Sequence, residues 1–364
     1  MNILLVQLDG RLPNLAVMRL SAHHKAMGDT VEFHRGRVTQ PNLFFRPDRV
    51  YASLIFEKTR PYAHELLRTY PDAIPGGTGW SIADTLEDHD VETLTQDYSF
   101  YPNFPFSIGF TSRGCRMRCP FCVVPRKEGR PRAVSTIAGI WRGNPWPRKL
   151  ILLDNDFFGQ PESQWQARIQ EIREGNFRIS FCQGVNVRQI TPESAAALAS
   201  VHYRDNEFRE RILYTAWDNL GDEKVFKRGV GILNSAGIPS SHLRVYMLIG
   251  YRQDETWDEI LYRFHSLVSL GCQPYPMVYG DTRPDLKAFQ RWAVTGLYRA
   301  VRWEDYRDPR LIGRRVVRGL TGGGAWAIHS GFAERTGEGL DKRGGDQRGQ
   351  APFENHQLRG VDTR

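Results

Sequence analysis

Apolar positions along the chain follow two rhythms, one of strands and one of helices. Ile3-Leu4-Leu5-Val6 is an unbroken apolar run, the pattern of a strand buried on both faces. Asn14 to Met27 places Val17, Leu20 and Met27 on one helical stripe, with Gly28 as the stop signal. Val31 and Phe33 alternate as a second strand and Val50 to Phe56 gives a third. Pro61 to Thr69 then reads as a helix, and Ala73-Ile74 runs into Gly76-Gly77-Thr78-Gly79. Strands alternating with helices predict a parallel α/β sheet of the doubly wound, Rossmann-like type over residues 1–98. The aromatic and proline-rich stretch from Tyr98 to Phe106 marks the expected boundary.

Strand and helix patterns continue over residues 99–303. The predicted strands are Phe106–Thr111, Lys149–Asp154, Arg178–Gln183, Arg211–Ala216, Leu243–Gly250 and Pro274–Tyr279. Between them, Glu162 to Glu174 carries Trp165, Ile169 and Ile172 on one helical face, and Pro192 to Ser200 follows Thr191, a good N-cap. Asp222 to Ala236 and Thr256 to Leu270 each stop at a glycine. Six βα units are too few for an eight-stranded barrel and suit a partial (β/α)6 barrel of the TIM type. Residues 304–364 break the pattern. Arg307 to Arg318 holds five bases and one acid, and ten glycines fall between Gly319 and Gln350, so this stretch reads as a basic segment followed by a flexible tail.

Composition narrows the function classes. The 364 residues are 40% hydrophobic and 25% charged, enough apolar content for about two domains with cores of their own. No apolar stretch reaches the ~18 residues of a membrane span, and Met1 to Asp9 lacks a basic leader, so a cytoplasmic protein without a membrane partner is expected. The net charge of +8 suits an anionic partner such as a nucleic acid or a phosphate-bearing molecule. Part of the excess is local: seven bases and one acid, Glu128, lie between Arg113 and Arg132.

Five cysteines are too few for a disulfide scaffold and fit a reducing compartment. Three of them, Cys115, Cys119 and Cys122, form a CxxxCxxC string just after the first strand of the second series. Three thiolates at this spacing can wrap one soft metal centre, which favours an iron–sulfur cluster, zinc or Cu(I). A 4Fe-4S cube bound by three cysteines keeps one iron open to another ligand. A structural zinc would want four closed ligands, and nothing nearby in the sequence supplies a fourth. Cys182 and Cys272 read as buried core thiols.

The string Cys115-Arg-Met-Arg-Cys119-Pro-Phe121-Cys122 resembles the signature of the radical S-adenosylmethionine superfamily. The resemblance spans about residues 105–300 and implies that the three cysteines hold a 4Fe-4S cluster whose open iron is chelated by S-adenosylmethionine. Reduction by a donor such as flavodoxin or ferredoxin would then release a 5′-deoxyadenosyl radical that abstracts hydrogen from substrate. It further implies that Phe121 lies near adenine. Asp154, Asn155 and Asp156 stand where the superfamily holds the methionine amine, with a motif that departs from its usual Gly-Gly-Glu. Gln183, Asn186 and Arg188 would face the ribose or carboxylate, and the backbone around Leu248 and Gly250 would lie against adenine.

The N-terminal segment resembles the cobalamin-binding-like module that precedes many radical enzymes, which leaves a cobalamin-dependent methyltransferase as an alternative. The module's DxHxxG motif is absent, and Asp9-Gly10-Arg11 stands in its place. The wording Cys-Pro-Phe-Cys-Val-Val-Pro-Arg is similar to methylthiotransferases acting on tRNA, but residues 1–114 lack the three further cysteines those enzymes need. A reading of a different class is a nucleic-acid-binding protein stabilised by a metal.

Overall fold

The computed structural model describes residues 1–41, 44–280 and 283–311, together with the backbone of Val316–Val317 and Ala327–Ile328. It is a mixed α/β chain with parallel sheets. The first elements are β1 (Asn2–Gln7), α1 (Leu15–Ala26), β2 (Thr30–Arg35), β3 (Arg49–Ser53), α2 (Arg60–Thr69) and β4 (Ile74–Gly76). Their strands form one sheet in the order β2-β1-β3-β4, parallel throughout. The apolar run of β1 is buried on both faces, as its composition demands. Ile3 and Leu5 pack with Ala16, Val17 and Leu20 of α1, while Leu4 and Val6 pack with Ala63 and Leu66 of α2. Asn14 caps α1 by accepting the Val17 N–H at 3.1 Å, and Gly28 takes the left-handed conformation that ends it.

The chain then forms β5 (Ser107–Gly109), β6 (Ser112–Arg113), α3 (Val124–Lys127), β7 (Arg132–Ala133), α4 (Ile137–Ile140) and β8 (Lys149–Leu152). After these come α5 (Glu162–Glu174), β9 (Arg178–Phe181), α6 (Pro192–Ala199), β10 (His202–Tyr203), β11 (Leu213–Ala216) and α7 (Glu223–Ser235). A second parallel sheet runs β10-β9-β8-β5. The last described elements include β12 (Leu243–Ile249), α8 (Trp257–Ser269), β13 (Gln273–Val278) and α9 (Pro284–Val294).

Contacts divide the described chain into two units, residues 1–215 with 227–243 and residues 216–226 with 244–311. Both four-stranded sheets belong to the first unit. They share a core in which Leu15 and Met18 of α1 meet Tyr98, Tyr101, Ile108, Ile151 and Cys182. Tyr98, where a boundary is expected, accepts the Ile108 N–H at 3.0 Å. Cys182 and Cys272 are buried, as expected of core thiols. In the second unit β12 and β13 pair in parallel, and the fully buried Arg263 of α8 donates to the carbonyls of Trp217, Asp218 and Leu248 and pairs with Glu255.

Several strands end sooner than their apolar runs suggest. β3 stops at Ser53 because the Ile55 and Phe56 amides turn to a carboxylate, and β5 stops at Gly109 because the Thr111 amide does the same. β9 ends at Phe181, two residues short of Gln183. Residues 205–210 form a turn on Asp205, which delays β11 to Leu213. β10 and α9 were not anticipated; α9 nonetheless buries Leu286, Phe289 and Trp292 on one stripe. Among the described residues no helix is long and apolar enough to cross a membrane. The tail predicted from Gly319 and most of the basic run before it lie outside the described residues.

Candidate metal centre

The cysteine loop grows from the end of β5. Its base is a two-residue antiparallel pair, β6 with β7, in which Ser112 faces Ala133 and Arg113 faces Arg132. Thr111 and Ser112, which lead into the loop, are fixed by Asp154 just past β8. That buried carboxylate accepts the Thr111 N–H at 3.0 Å and its hydroxyl at 2.5 Å, and the Ser112 N–H and hydroxyl at 2.7 Å each. Burial pushes the Asp154 carboxyl above its ordinary range, and the four donors oppose the shift.

Glu128 fastens the next step. Its carboxylate accepts the Gly114 N–H at 2.9 Å, Arg113 at 2.7 Å and the Asn155 amide at 3.0 Å. Gly114 has φ of +91°, and a Cβ there would collide with the Arg130 carbonyl, so glycine is required where the loop turns. Asp156, buried, then holds Arg116 through its backbone N–H at 3.1 Å and its guanidinium at 2.8 and 3.0 Å. Thus Asp154, Asn155 and Asp156, singled out as contacts of an ammonium group, are all bonded to the chain's own loop.

The three cysteines are half-buried, and none is in a disulfide. The Met117 N–H points at Cys115 Sγ at 3.4 Å, and Arg188 Nη2 lies 3.5 Å from Cys119 Sγ. The Cys122 N–H closes a turn on the Cys119 carbonyl at 2.9 Å, with Phe121 half-buried inside that turn. Burial pushes the Cys115 thiol up to about 12, and negative charge at Asp156, Cys122 and Cys119 pushes the same way. Among the described residues no three His, Cys, Asp or Glu side chains are gathered tightly enough to grip a single ion. By the chemistry of its donors, three soft thiols on one short loop, the site fits a thiolate-bound cluster.

The chain has no match among protein-family models or among curated proteins.

The structure also brings Arg188 to the cysteine loop, whereas Gln183 and Asn186 stand half-buried beyond the end of β9. Leu248 and Gly250 lie in the second unit. The Leu248 N–H donates to Asp218 at 2.8 Å, its carbonyl accepts from Arg263, and the Gly250 N–H donates to Glu255 at 2.6 Å. Of the seven local bases, Arg113, Arg116, Lys127 and Arg132 are bonded to Glu128, Asp156, Thr78 and the Glu128 carbonyl respectively. Arg118, Arg126 and Arg130 are exposed.

The first sheet has a network of its own. Asp9, past β1, accepts the Ile55 and Phe56 N–H groups at 2.8 and 2.9 Å and the Thr59 hydroxyl at 2.5 Å. The buried Gln7 donates to the carbonyls of Asp9, Gly10 and Leu12 and accepts from Tyr101. Asn14 reaches across to Ser53 at 2.8 Å. Gly79 packs on the Phe56 backbone so closely that a Cβ would stand 2.6 Å from it, and its N–H donates to Leu54. The glycine run is therefore a tight turn. The ends of β1 and β3 are bridged by the chain's own groups.

The clamping roles of Glu128, Gln7 and Asp9 are not evident from the sequence, where Glu128 stands out only as the one acid of a basic stretch and Asp9 only in place of the DxHxxG motif. The signal available was a polar residue ending an apolar strand run, as in Val6-Gln7-Leu8-Asp9.

Proposed function

We propose that the chain is an iron–sulfur enzyme of the radical S-adenosylmethionine kind, with Cys115, Cys119 and Cys122 as the protein ligands of a 4Fe-4S cluster. The observation that carries this reading is the CxxxCxxC loop set past the first strand of a parallel βα series, with three half-buried thiols and carboxylates fastening its leading side. In this reading residues 1–98 are a Rossmann-like domain, and β5, β8, β9, β11, β12 and β13 take the places, in chain order, of the six strands of a partial (β/α)6 barrel.

When bound, the cluster and S-adenosylmethionine supply one-electron cleavage of a carbon–sulfur bond and a 5′-deoxyadenosyl radical. The chain's residues do the rest. Asp154 and Glu128 are positioning residues that set the loop's entry, and Asp156 with Arg116 sets its first turn. The Met117 N–H and the Arg188 guanidinium place positive potential beside two of the sulfurs, which lowers the cost of holding thiolates in a half-buried site. Gln183 and Asn186 offer polar groups past β9 for the ribose or carboxylate. Exposed Arg118, Arg126 and Arg130 favour a substrate that carries negative charge, of nucleotide or other phosphate-bearing type.

Anaerobic reconstitution tests the reading. We expect about four irons and four sulfides per chain, and 5′-deoxyadenosine on adding dithionite and S-adenosylmethionine. A colourless protein that holds one zinc and leaves S-adenosylmethionine intact overturns it.

A further inference from the structure

The backbone holds two of the loop cysteines differently from the third. The Cys122 N–H donates to the Cys119 carbonyl at 2.9 Å, so Cys119-Pro120-Phe121-Cys122 is a β-turn. Such a turn keeps its first and last Cα within about 7 Å of each other. A disulfide can bridge Cα atoms up to about 7 Å apart, so the turn brings this pair within bridging span. Cys115 is tied elsewhere. Its N–H donates to the Gly129 carbonyl at 3.2 Å, at the closed base of the loop, and its Sγ accepts the Met117 N–H at 3.4 Å. Cys119 and Cys122 are partly open to solvent, whereas Cys182 and Cys272 are buried, so a dissolved oxidant reaches the loop thiols first. Closing the bridge orders little chain. It encloses only Pro120 and Phe121, which the turn already holds, and the ring of Pro120 fixes its own φ. A bridge that is short and exposed is of the readily reduced kind, which makes its closure reversible.

We propose that Cys119 and Cys122 form a reversible redox pair whose oxidant is a low-molecular-weight disulfide of the glutathione type. One cysteine attacks the small disulfide, forms a mixed disulfide with one half of it and releases the other half as a thiol. The second cysteine then attacks the protein sulfur of the mixed disulfide, forms the Cys119–Cys122 bond and releases the remaining half. Two protein thiols are oxidised, one small disulfide is reduced to two thiols, and the two protein protons end on the released thiols. The pair itself does not depend on the iron–sulfur reading. One consequence does rest on that reading: the bridge withdraws two of the three proposed cluster ligands, so bridge and cluster exclude one another.

The test treats the full chain, reduced and stripped of metal by a chelator, with glutathione buffers of rising oxidised share. The thiols are then trapped in acid, alkylated and mapped by mass spectrometry. We expect the Cys119–Cys122 bridge to be at least about tenfold more abundant than any bridge that includes Cys115. Cys115→Ser should leave it unchanged. Cys119→Ser and Cys122→Ser should instead carry a glutathione adduct on the remaining member of the pair. A dominant bridge through Cys115, a chain that stops at glutathione adducts, or one that keeps both thiols reduced overturns the proposal, and the wild-type map alone decides this if a variant fails to fold. Iron separates the pair from the cluster reading. The iron-loaded chain in the same buffers should form the bridge at least about tenfold more slowly than the stripped chain. A chain that takes up no iron, or that forms the bridge while keeping its iron, counts against the iron–sulfur reading, and the map of the stripped chain still decides the pair.

Discussion

The two parallel sheets of the first unit end in the same device. Asp9, past β1, and Asp154, past β8, each accept two consecutive backbone N–H groups and at least one hydroxyl from the loop that follows the neighbouring strand. At the first sheet the bridged loops close into a network with Gln7, Asn14 and Ser53, whose polar groups satisfy one another. At the second sheet the clamped strand end runs on through Gly114 into three half-exposed thiols. An aspartate at a strand end thus fixes the backbone, and chemistry depends on what the fixed backbone goes on to present.

The largest effect expected separates the cysteines themselves. Replacing Cys115, Cys119 or Cys122 by Ala should take reconstituted iron from about four per chain to below about one, with 5′-deoxyadenosine formation down about a hundredfold or more. Folding should be little changed, because these side chains are only half-buried. Cys182→Ala should do the reverse, keeping iron while lowering the melting temperature, since Cys182 is fully buried among Ile151 and Leu153. Equal iron loss in the two classes would break the distinction between the two kinds of thiol.

The next effect compares the two clamps. Asp154→Ala strands buried donors and should destabilise by about 3–5 kcal/mol. Asp9, half-buried, should cost about 1–3 kcal/mol on the same replacement. Iron retention distinguishes them: Asp154→Ala should lose it and Asp9→Ala should keep it, measured on folded protein below each variant's melting point. Asp156→Asn should act more mildly. It weakens the hold on Arg116, whose side chain is 36% exposed, and should speed iron loss to a chelator severalfold with a stability change of about 1 kcal/mol.

The apolar rhythm made most of the parallel sheets legible. The run Ile3–Val6 had to be buried on both faces and is, by α1 on one side and α2 on the other. The cysteine string announced its own chemistry. The clamps were not legible, because an aspartate after a strand looks the same whether it faces solvent, a ligand or a neighbour's amides. Asp154 and Asp156 accordingly read as candidate ligand contacts, although their acceptors serve the loop. The same ambiguity lengthened two predicted strands: Ile55-Phe56 and Phe110-Thr111 carry strand-like side chains, but their sequences contain no sign that Asp9 and Asp154 will take amides out of the ladders.

The smallest effect concerns the join between the two sheets. Asp97 ties the connector to α1 through Ser21 and Lys25, both at 2.6 Å, and Ser99 adds a third donor at 2.9 Å. Burial pushes its carboxyl up, but these bonds outweigh burial and hold it at about 2, below the ordinary 3.8. A carboxylate depressed in the folded state stabilises above its unfolded pKa and loses that contribution as the pH falls through the folded one. The Asp97 contribution should therefore be complete above about pH 4 and fade toward pH 2. Lys25 is 40% exposed, so solvent screening reduces the contribution to roughly 1 kcal/mol. Urea unfolding at pH 7 and pH 3 should give a difference that shrinks by roughly half this amount in Asp97→Asn, since pH 3 lies midway between the folded and unfolded pKa values. An unchanged difference would mean that the join is held by the shared apolar core of Leu15, Met18, Tyr98 and Tyr101 and not by this carboxylate.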